Sequence, residues 1–391
     1  SLSYFLKAKA INPKSPELLV AIGDVYMEQA NGSEAVKYYT EALKLNPNYV
    51  NAHVRTGKLW TRSLNYAEAK IAFDKAIKID STFAPIYREY GELELTAKHF
   101  ESAVENYKKY LFLTDKSLNS QLRYAKFLFY GKQFQESIDI IKQIVAKDSS
   151  DYINYRLLGY SSYEVKDYKA GLTAMNKFFS MNPAKILPQD YAYLGKLQVK
   201  NKLDSLGVNT ITRAIALDTT SRDLYGDLSD AYFSMKQYKL SAETYELKLL
   251  NTKPTAIDYF NLGRKYYFGL EFAKSDSSFA KLLELNAAYK PAYLFRARNN
   301  VQLDNVDKIN DGLAKPFYEK FIELTIADPK LDLKKSGKEL IEAYKYLGDY
   351  NYTILKDNAA AIGNFQKVIE IDPNDKDAKL NIEGLIKESK K

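Results

Sequence analysis

A small residue recurs along this chain at an almost constant interval, and that interval constrains the fold more than any other feature of the sequence. Seven of the nine intervals between these residues are 34 residues long, and the other two are 36 and 51. The recurring residues are Gly23, Gly57, Gly91, Ala125, Gly159, Gly195, Ser229, Gly263, Ala297 and Gly348. A fixed period of this length indicates copies of one supersecondary unit, each packing on its neighbours.

The repeating unit is clearest in residues 16–49. Its first half places residues at the i, i+3, i+4 and i+7 spacing of one helical face, namely Leu19, Ile22, Gly23 and Tyr26. Asn31-Gly32 then predicts a break, and Ser33 can cap a second helix. The buried stripe of that second helix is predicted to hold Ala35, Tyr39 and Ala42. Pro47 cannot continue the helix, so the unit is a two-helix hairpin.

This order of residues resembles the tetratricopeptide repeat. The resemblance implies an all-α fold, a right-handed superhelical α-solenoid of antiparallel helix hairpins, over the single range 1–391. The predicted repeats are 16–49, 50–83, 84–117, 118–151, 152–187, 188–221, 222–255, 256–289, 290–330 and 331–373. Residues 1–15 resemble the second helix of a preceding repeat, so we expect the native chain to extend upstream. Residues 374–391 are expected to form a capping helix that is apolar at Leu380, Ile382 and Leu385.

Two intervals depart from the period. The 36-residue interval reflects extra residues near 185–188, between the fifth and sixth repeats. The 51-residue interval combines residues 303–316, inside the ninth repeat, with residues 330–341, before the tenth. Insertions in solenoids map to loops, so we expect loops that are either tolerated surface insertions or part of a binding face.

The sequence contains few residues of the kinds that usually carry out catalysis. It has no cysteine and only two histidines, His53 and His99, which lie in different repeats. No metalloprotease, phosphate-loop or serine-hydrolase motif is present. His53 takes a helix position that is apolar in the first repeat and is expected to pack, whereas His99 lies in a turn. We therefore expect no enzyme activity, no cofactor, no metal and no small-molecule substrate.

The resemblance also implies where a partner binds, because the first helices of such repeats line a concave groove. Side chains beside the recurring small residue point into that groove. The residues predicted to form it are Arg55, Lys58, Arg62, Arg88, Arg123, Lys126, Tyr130, Arg156, Tyr160, Tyr163, Tyr193, Lys196, Lys200 and Arg264. The predicted groove is basic and rich in tyrosine, and only Glu89 and Glu92 interrupt it between the second and sixth repeats. The lysine and asparagine set of family members that clamp chaperone C-termini is absent.

These features favour a non-catalytic scaffold that binds an extended or helical segment of another protein, of acidic character. The net charge of +8 and the 33 tyrosines suit such recognition. The alternative is a nucleic-acid-binding solenoid that uses the same groove, although Glu89, Glu92 and Asp227 would repel phosphates. No apolar run is long enough for a membrane helix. The composition resembles envelope proteins of some bacteria, and a cytoplasmic location stays open.

Overall fold

The protein is seen here in a computed structural model that describes residues 2–307 and 312–389, with side chains omitted at 305–307. The described residues form α-helices joined by short turns, and no β-strand occurs among them. The prediction of an all-α fold of paired helices is confirmed.

The helices follow the 34-residue period, and each predicted repeat range contains two of them. The helices of the first half are α1 (Leu2–Ile11), α2 (Pro16–Glu28), α3 (Gly32–Leu45), α4 (Val50–Arg62), α5 (Tyr66–Ile79), α6 (Pro85–Thr96), α7 (Phe100–Phe112), α8 (Leu118–Tyr130), α9 (Phe134–Lys147), α10 (Tyr152–Glu164), α11 (Tyr168–Ser180) and α12 (Pro188–Lys200). Those of the second half are α13 (Asp204–Leu217), α14 (Asp223–Ser234), α15 (Tyr238–Leu249), α16 (Ala256–Phe268), α17 (Phe272–Leu285), α18 (Lys290–Asp307), α19 (Lys315–Ile326), α20 (Leu333–Thr353), α21 (Asn358–Ile371) and α22 (Lys376–Glu388).

Two compact units divide the chain, Ser1–Asn201 and Lys202–Lys391, called unit 1 and unit 2 below. The boundary falls inside the predicted repeat 188–221, between α12 and α13. Each unit has its own series of buried clusters between consecutive helices. A single solenoid over 1–391 therefore stays a prediction.

Local sequence signals in the first repeat set its helix ends. Ser15 caps α2 by accepting a hydrogen bond from the Leu18 N–H at 3.1 Å, and proline follows at the first helical position. The prediction that Ser33 caps α3 is wrong, because the cap is Asn31, whose side chain accepts from the Glu34 N–H at 3.2 Å. The asparagine that breaks one helix thus begins the next.

The recurring small residue allows the two helices of a hairpin to approach closely. A Cβ added at Gly57 would lie 2.6 Å from the ring of Phe73, a side chain with no solvent exposure. Phe73 also stacks on Tyr90 of the next repeat, with ring centroids 5.2 Å apart. The glycine therefore makes room for an aromatic ring that joins two repeats.

The structure corrects one expectation about the insertions. Residues 181–187 form the expected loop between α11 and α12. Residues 333–341, expected as a loop, instead belong to α20, which is 21 residues long. Its early residues Gly337 and Leu340 are buried on the same stripe as Ala343, Tyr344 and Leu347, so the insertion lengthens a helix. The insertion 303–316 lies partly in α18, and its residues 308–311 lie outside the described part of the chain.

The last helix packs on unit 2 along one stripe. Ala378 and Leu385 are buried, and Ile382 packs against the same cluster. Leu380, expected among the apolar contacts, is 69% exposed because it lies off the stripe formed by 378, 382 and 385. Lys345 of α20 also pairs with Asp375 at 2.8 Å, at the start of α22.

Deleting residues 374–391 should make the protein aggregate, because the deletion uncovers the cluster that contains Phe365 and Val368. Light scattering of the truncated protein measures this directly. The double variant Leu380→Ser and Ile386→Ser is a control, since both side chains are exposed and neither belongs to that cluster. A truncated protein as monodisperse as the full chain would contradict the capping role.

No helix in the described part of the chain is both long and apolar enough to span a membrane.

Candidate functional site

Most consecutive first helices of unit 1 lie close to one another. α2 contacts α4, α4 contacts α6, α8 contacts α10, and α10 contacts α12. No pair of second helices in the described residues makes comparable contact. The first helices therefore occupy the more closely spaced side of unit 1, which is where the partner-binding groove was expected.

Ion pairs connect these first helices in a regular pattern. The residue one place after the recurring small residue pairs with the residue two places before it in the next repeat. The pairs are Asp24 Oδ2 with Arg55 Nε at 2.9 Å, Lys58 Nζ with Glu89 Oε1 at 3.4 Å, and Glu92 Oε1 with Arg123 Nη1 at 3.6 Å. We call these three pairs the charge ladder. Successive pairs reverse their polarity along α2, α4, α6 and α8.

The pattern changes at the fourth repeat. Lys126 follows the small residue there, but the position that would pair with it holds Leu157, which is buried. No carboxylate of the described residues lies within 4 Å of the Lys126 ammonium. At the next step two aromatic residues take the paired positions, and Tyr160 stacks on Tyr193 with ring centroids 4.0 Å apart. The ladder therefore ends with an unpaired cation.

The carboxylates of the ladder differ in their surroundings. Glu89 is buried and receives two cations, because Arg88 Nη2 donates to the same Oε1 at 2.7 Å. Burial raises the pKa of Glu92, and the nearby Arg123 charge offsets part of that rise. Burial also lowers the pKa of Lys126, and the charge of Arg123 lowers it further. Partial burial therefore disfavours the charged form of the acidic side chain and of the basic side chain alike.

Arg156, predicted to face the groove, is bound within the protein. Its Nε and Nη2 donate to the two oxygens of Asp190 at 2.7 and 2.9 Å. Asp190 has no solvent exposure and also accepts from the Tyr160 hydroxyl at 2.7 Å and from the Leu187 N–H at 2.6 Å. Nη2 of Arg156 donates as well to the Lys185 carbonyl at 2.6 Å. We call this the Asp190 network.

Three of the predicted tyrosines form one cluster with Tyr168. Tyr160 is buried, and burial together with the Asp190 charge raises its pKa. Tyr193 donates to Glu164 at 2.7 Å, and the ring of Tyr163 lies edge-on to it at 5.5 Å. The lysines of α12 lie over two of these rings, Lys196 over Tyr163 at 5.8 Å and Lys200 over Tyr168 at 6.0 Å.

The remaining predicted residues lie apart from this cluster. Arg62 is exposed and donates only a long hydrogen bond of 3.4 Å to the Met27 carbonyl. With Asp24, Glu28, Arg55 and Lys58 it lines a cavity between α2 and α4. Tyr130 is half exposed, at the end of α8. Arg264 belongs to unit 2, where its guanidinium lies 5.8 Å from the rings of both Phe233 and Phe260.

The two histidines have local partners. His53 is buried, and its Nε2 donates to the Pro47 carbonyl at 2.8 Å. The Nδ1 of His99 lies 2.9 Å from a carboxylate oxygen of Glu94. No cluster of three or more histidine, cysteine or acidic residues that could hold a metal ion occurs in the part of the chain described here.

Comparison with known proteins identifies the family. The sequence profile of the tetratricopeptide repeat matches residues 16–49. The crystal structure of the C-terminal part of a TPR repeat-containing protein from Cytophaga hutchinsonii is 32% identical to this chain. The match covers 67% of this chain and 99% of that one, with a TM-score of 0.56. The chain belongs to the tetratricopeptide repeat family. No curated protein sequence matches it.

More distant solved structures also match this tetratricopeptide repeat protein. YrrB, described as a TPR protein with an unusual peptide-binding site, is 17% identical, and the match covers 56% of this chain and 95% of that one with a TM-score of 0.34. PilW, a type IV pilus biogenesis factor, is 15% identical, and the match covers 54% of this chain and 96% of that one with a TM-score of 0.46. Neither similarity is high enough to transfer a function.

Tetratricopeptide repeats typically mediate protein–protein interaction and are generally non-catalytic. The predicted family and helical architecture are thus confirmed, and the bacterial origin suggested by the composition fits the Cytophaga relative.

Proposed function

We propose that this protein is a scaffold whose first-helix surface in unit 1 binds an extended or helical, acidic segment of another protein. The surface is the one that carries the charge ladder, from α2 to α8. The observation that carries the proposal is an excess of cations there. Six cations, Arg55, Lys58, Arg62, Arg88, Arg123 and Lys126, share this surface with four carboxylates, Asp24, Glu28, Glu89 and Glu92.

The pairing of these groups decides which cations are available. Arg55 and Arg88 each lie within 3 Å of a carboxylate oxygen of the protein, so they mainly hold neighbouring side chains in place. Arg62 and Lys126 have no carboxylate within 4 Å among the described residues. Arg123 is half exposed, and its carboxylate contact is loose at 3.6 Å. An acidic partner can therefore form ion pairs with these three cations without first breaking a strong ion pair within the protein.

Regular spacing supports a long partner rather than a compact one. Equivalent positions on successive first helices recur once per repeat, so a segment lying across α2, α4, α6 and α8 meets the same kind of position at each step. Solvent-exposed ion pairs are worth about 0–1 kcal/mol each, so affinity must come from several contacts together. Steering of an acidic segment by the summed field adds to the association rate.

Reversing the charge of Arg62, Arg123 and Lys126 to glutamate should slow the association of a glutamate-rich peptide by about tenfold or more at low salt. The fold should persist, since Arg62 and Lys126 have no carboxylate within 4 Å among the described residues and Arg123 contacts Glu92 only loosely, at 3.6 Å. Stopped-flow fluorescence with a labelled peptide measures the rate, and circular dichroism checks helix content.

The matched control reverses Lys70, Lys108 and Lys142, which are exposed on the second helices α5, α7 and α9. Both triple variants change the net charge equally. An equal loss in the two variants would assign the effect to total charge and overturn the proposed surface. Tighter binding of single-stranded RNA than of the peptide, in the parent protein, would favour the nucleic-acid alternative, which the interleaved carboxylates oppose.

A further inference from the structure

The charge ladder ends at Lys126 because the position that would pair with it holds an uncharged residue. In the three preceding steps a cation or carboxylate after the small residue meets its opposite charge 31 residues later, as in Asp24 and Arg55. Lys126 meets Leu157 at the same separation. Leu157 is buried and packs with Leu122, Ala125, Ile141 and Ile144. A buried apolar side chain therefore takes the place that a charged residue has in the other three pairs.

Lys126 is also poorly compensated by the charges around it. Burial lowers the pKa of its ammonium group, and the positive charges of Arg123 and Arg156 lower it further. Asp151 and Glu92 act in the opposite direction, but neither lies within 4 Å and the net direction stays downward. The side chain is nevertheless solvent-exposed, so a carboxylate of a partner can reach its ammonium group.

We infer that a carboxylate of the partner segment completes the charge ladder at Lys126, in the place where position 157 carries leucine. The inference rests on the proposed function and names the anchor of that same surface. The carboxylate would accept a hydrogen bond from the lysine ammonium, which has no carboxylate of its own within 4 Å among the described residues. Tyr130 lies one helical turn further along α8, half exposed, and offers an aromatic surface to the residues that flank the carboxylate.

Two sources could supply this carboxylate, an acidic side chain or a free chain terminus. We favour the side chain, because a partner segment that lies across α4, α6 and α8 continues past Lys126, whereas a chain terminus would end there. Two probes separate the sources: a glutamate-rich peptide with an amidated C-terminus, and a peptide of neutral side chains with a free C-terminal carboxylate.

The test combines affinity with a measurement at the lysine itself. Lys126→Gln should weaken binding of the amidated glutamate-rich peptide by about two- to fivefold, because the peptide carboxylate loses one charged donor on an exposed side chain. Lys142→Gln removes an exposed lysine from α9 and should leave the affinity unchanged. In protein with isotope-labelled, reductively methylated lysines, the NMR signal of Lys126 should report a higher pKa once the peptide is bound, while that of Lys142 should not change.

The outcomes separate this inference from the proposed function. A rise in the Lys126 pKa with the amidated peptide supports a side-chain carboxylate, and a rise only with the neutral peptide replaces it by a chain terminus. If the glutamate-rich peptide binds but neither its affinity nor the Lys126 pKa responds, the inference is wrong and the proposed surface stands. If the peptide does not bind the parent protein at all, both are wrong.

Discussion

Replacing Asp190 with alanine should lower the free energy of unfolding by about 3–5 kcal/mol, because the change leaves a largely buried arginine without its counter-charge. Asp190 accepts four hydrogen bonds from three residues and has no solvent exposure. Those residues come from α10 and from the loop before α12. The single carboxylate therefore connects two consecutive repeats and fixes the start of α12. Urea denaturation followed by circular dichroism measures the loss.

Two further variants make this prediction specific. Asp190→Asn keeps the size and two of the acceptor sites but removes the charge, so it should be destabilising by less than the alanine variant. Asp139→Ala removes an exposed carboxylate from α9 and should change stability by no more than about 0.5 kcal/mol. An Asp190→Ala protein that unfolds at the same urea concentration as Asp139→Ala would show that the network contributes nothing to stability.

The helices were predictable from sequence because their signals are local. The 34-residue period, the small residue and the turn residues each act within one hairpin, so the paired helices follow from pattern alone. The misplaced cap in the first repeat shows the limit of this reasoning. Asn31 and Ser33 are both good cap residues, and only the backbone geometry decides between them.

The charge ladder was present in the sequence but was not recognised. Arg55 and Lys58 are predicted from the sequence as partner-binding residues because both lie beside the recurring small residue, on the same face of one helix. Comparing each charge with the residue 31 positions later would have paired Asp24 with Arg55, Lys58 with Glu89, and Glu92 with Arg123. The same comparison would have marked Lys126 as unmatched. This signal depends on contacts between repeats, which a search within one repeat does not cover.

The roles of Arg156 and Tyr160 could not be predicted in this way. Both depend on Asp190, which is the third residue of α12 and accepts from the Leu187 N–H at the helix start. The network also requires the Lys185 carbonyl, so the path of the 181–187 loop decides where the guanidinium lies. This loop breaks the 34-residue register, and the positions of its atoms follow from no repeat pattern.

Replacing Gly57 with leucine should destabilise unit 1 by about 3 kcal/mol or more. A side chain at this position would meet the ring of Phe73, since even a Cβ atom would lie 2.6, 2.7 and 2.9 Å from three of its ring carbons. The ring has no room to turn away, because it is fully buried and stacks on Tyr90. Overpacking of a tight core costs about 1–3 kcal/mol, occasionally more, and the rigid ring puts this site at the upper end. Thermal melting followed by circular dichroism gives the measurement.

Other glycines of the same chain provide the comparison. Gly159→Leu should be destabilising but milder, because its added Cβ would meet the side chain of Met175, which is flexible and can change rotamer. Gly363→Ala should instead raise stability by about 0.5–1 kcal/mol, since this glycine lies inside α21 and no atom lies within 4 Å of an added Cβ. The expected order of melting temperatures is thus Gly363→Ala, parent, Gly159→Leu and Gly57→Leu. A Gly57→Leu protein that melts with the parent would mean that α4 and α5 do not pack through Gly57 and Phe73, and the repeat register built on the small residue would be wrong.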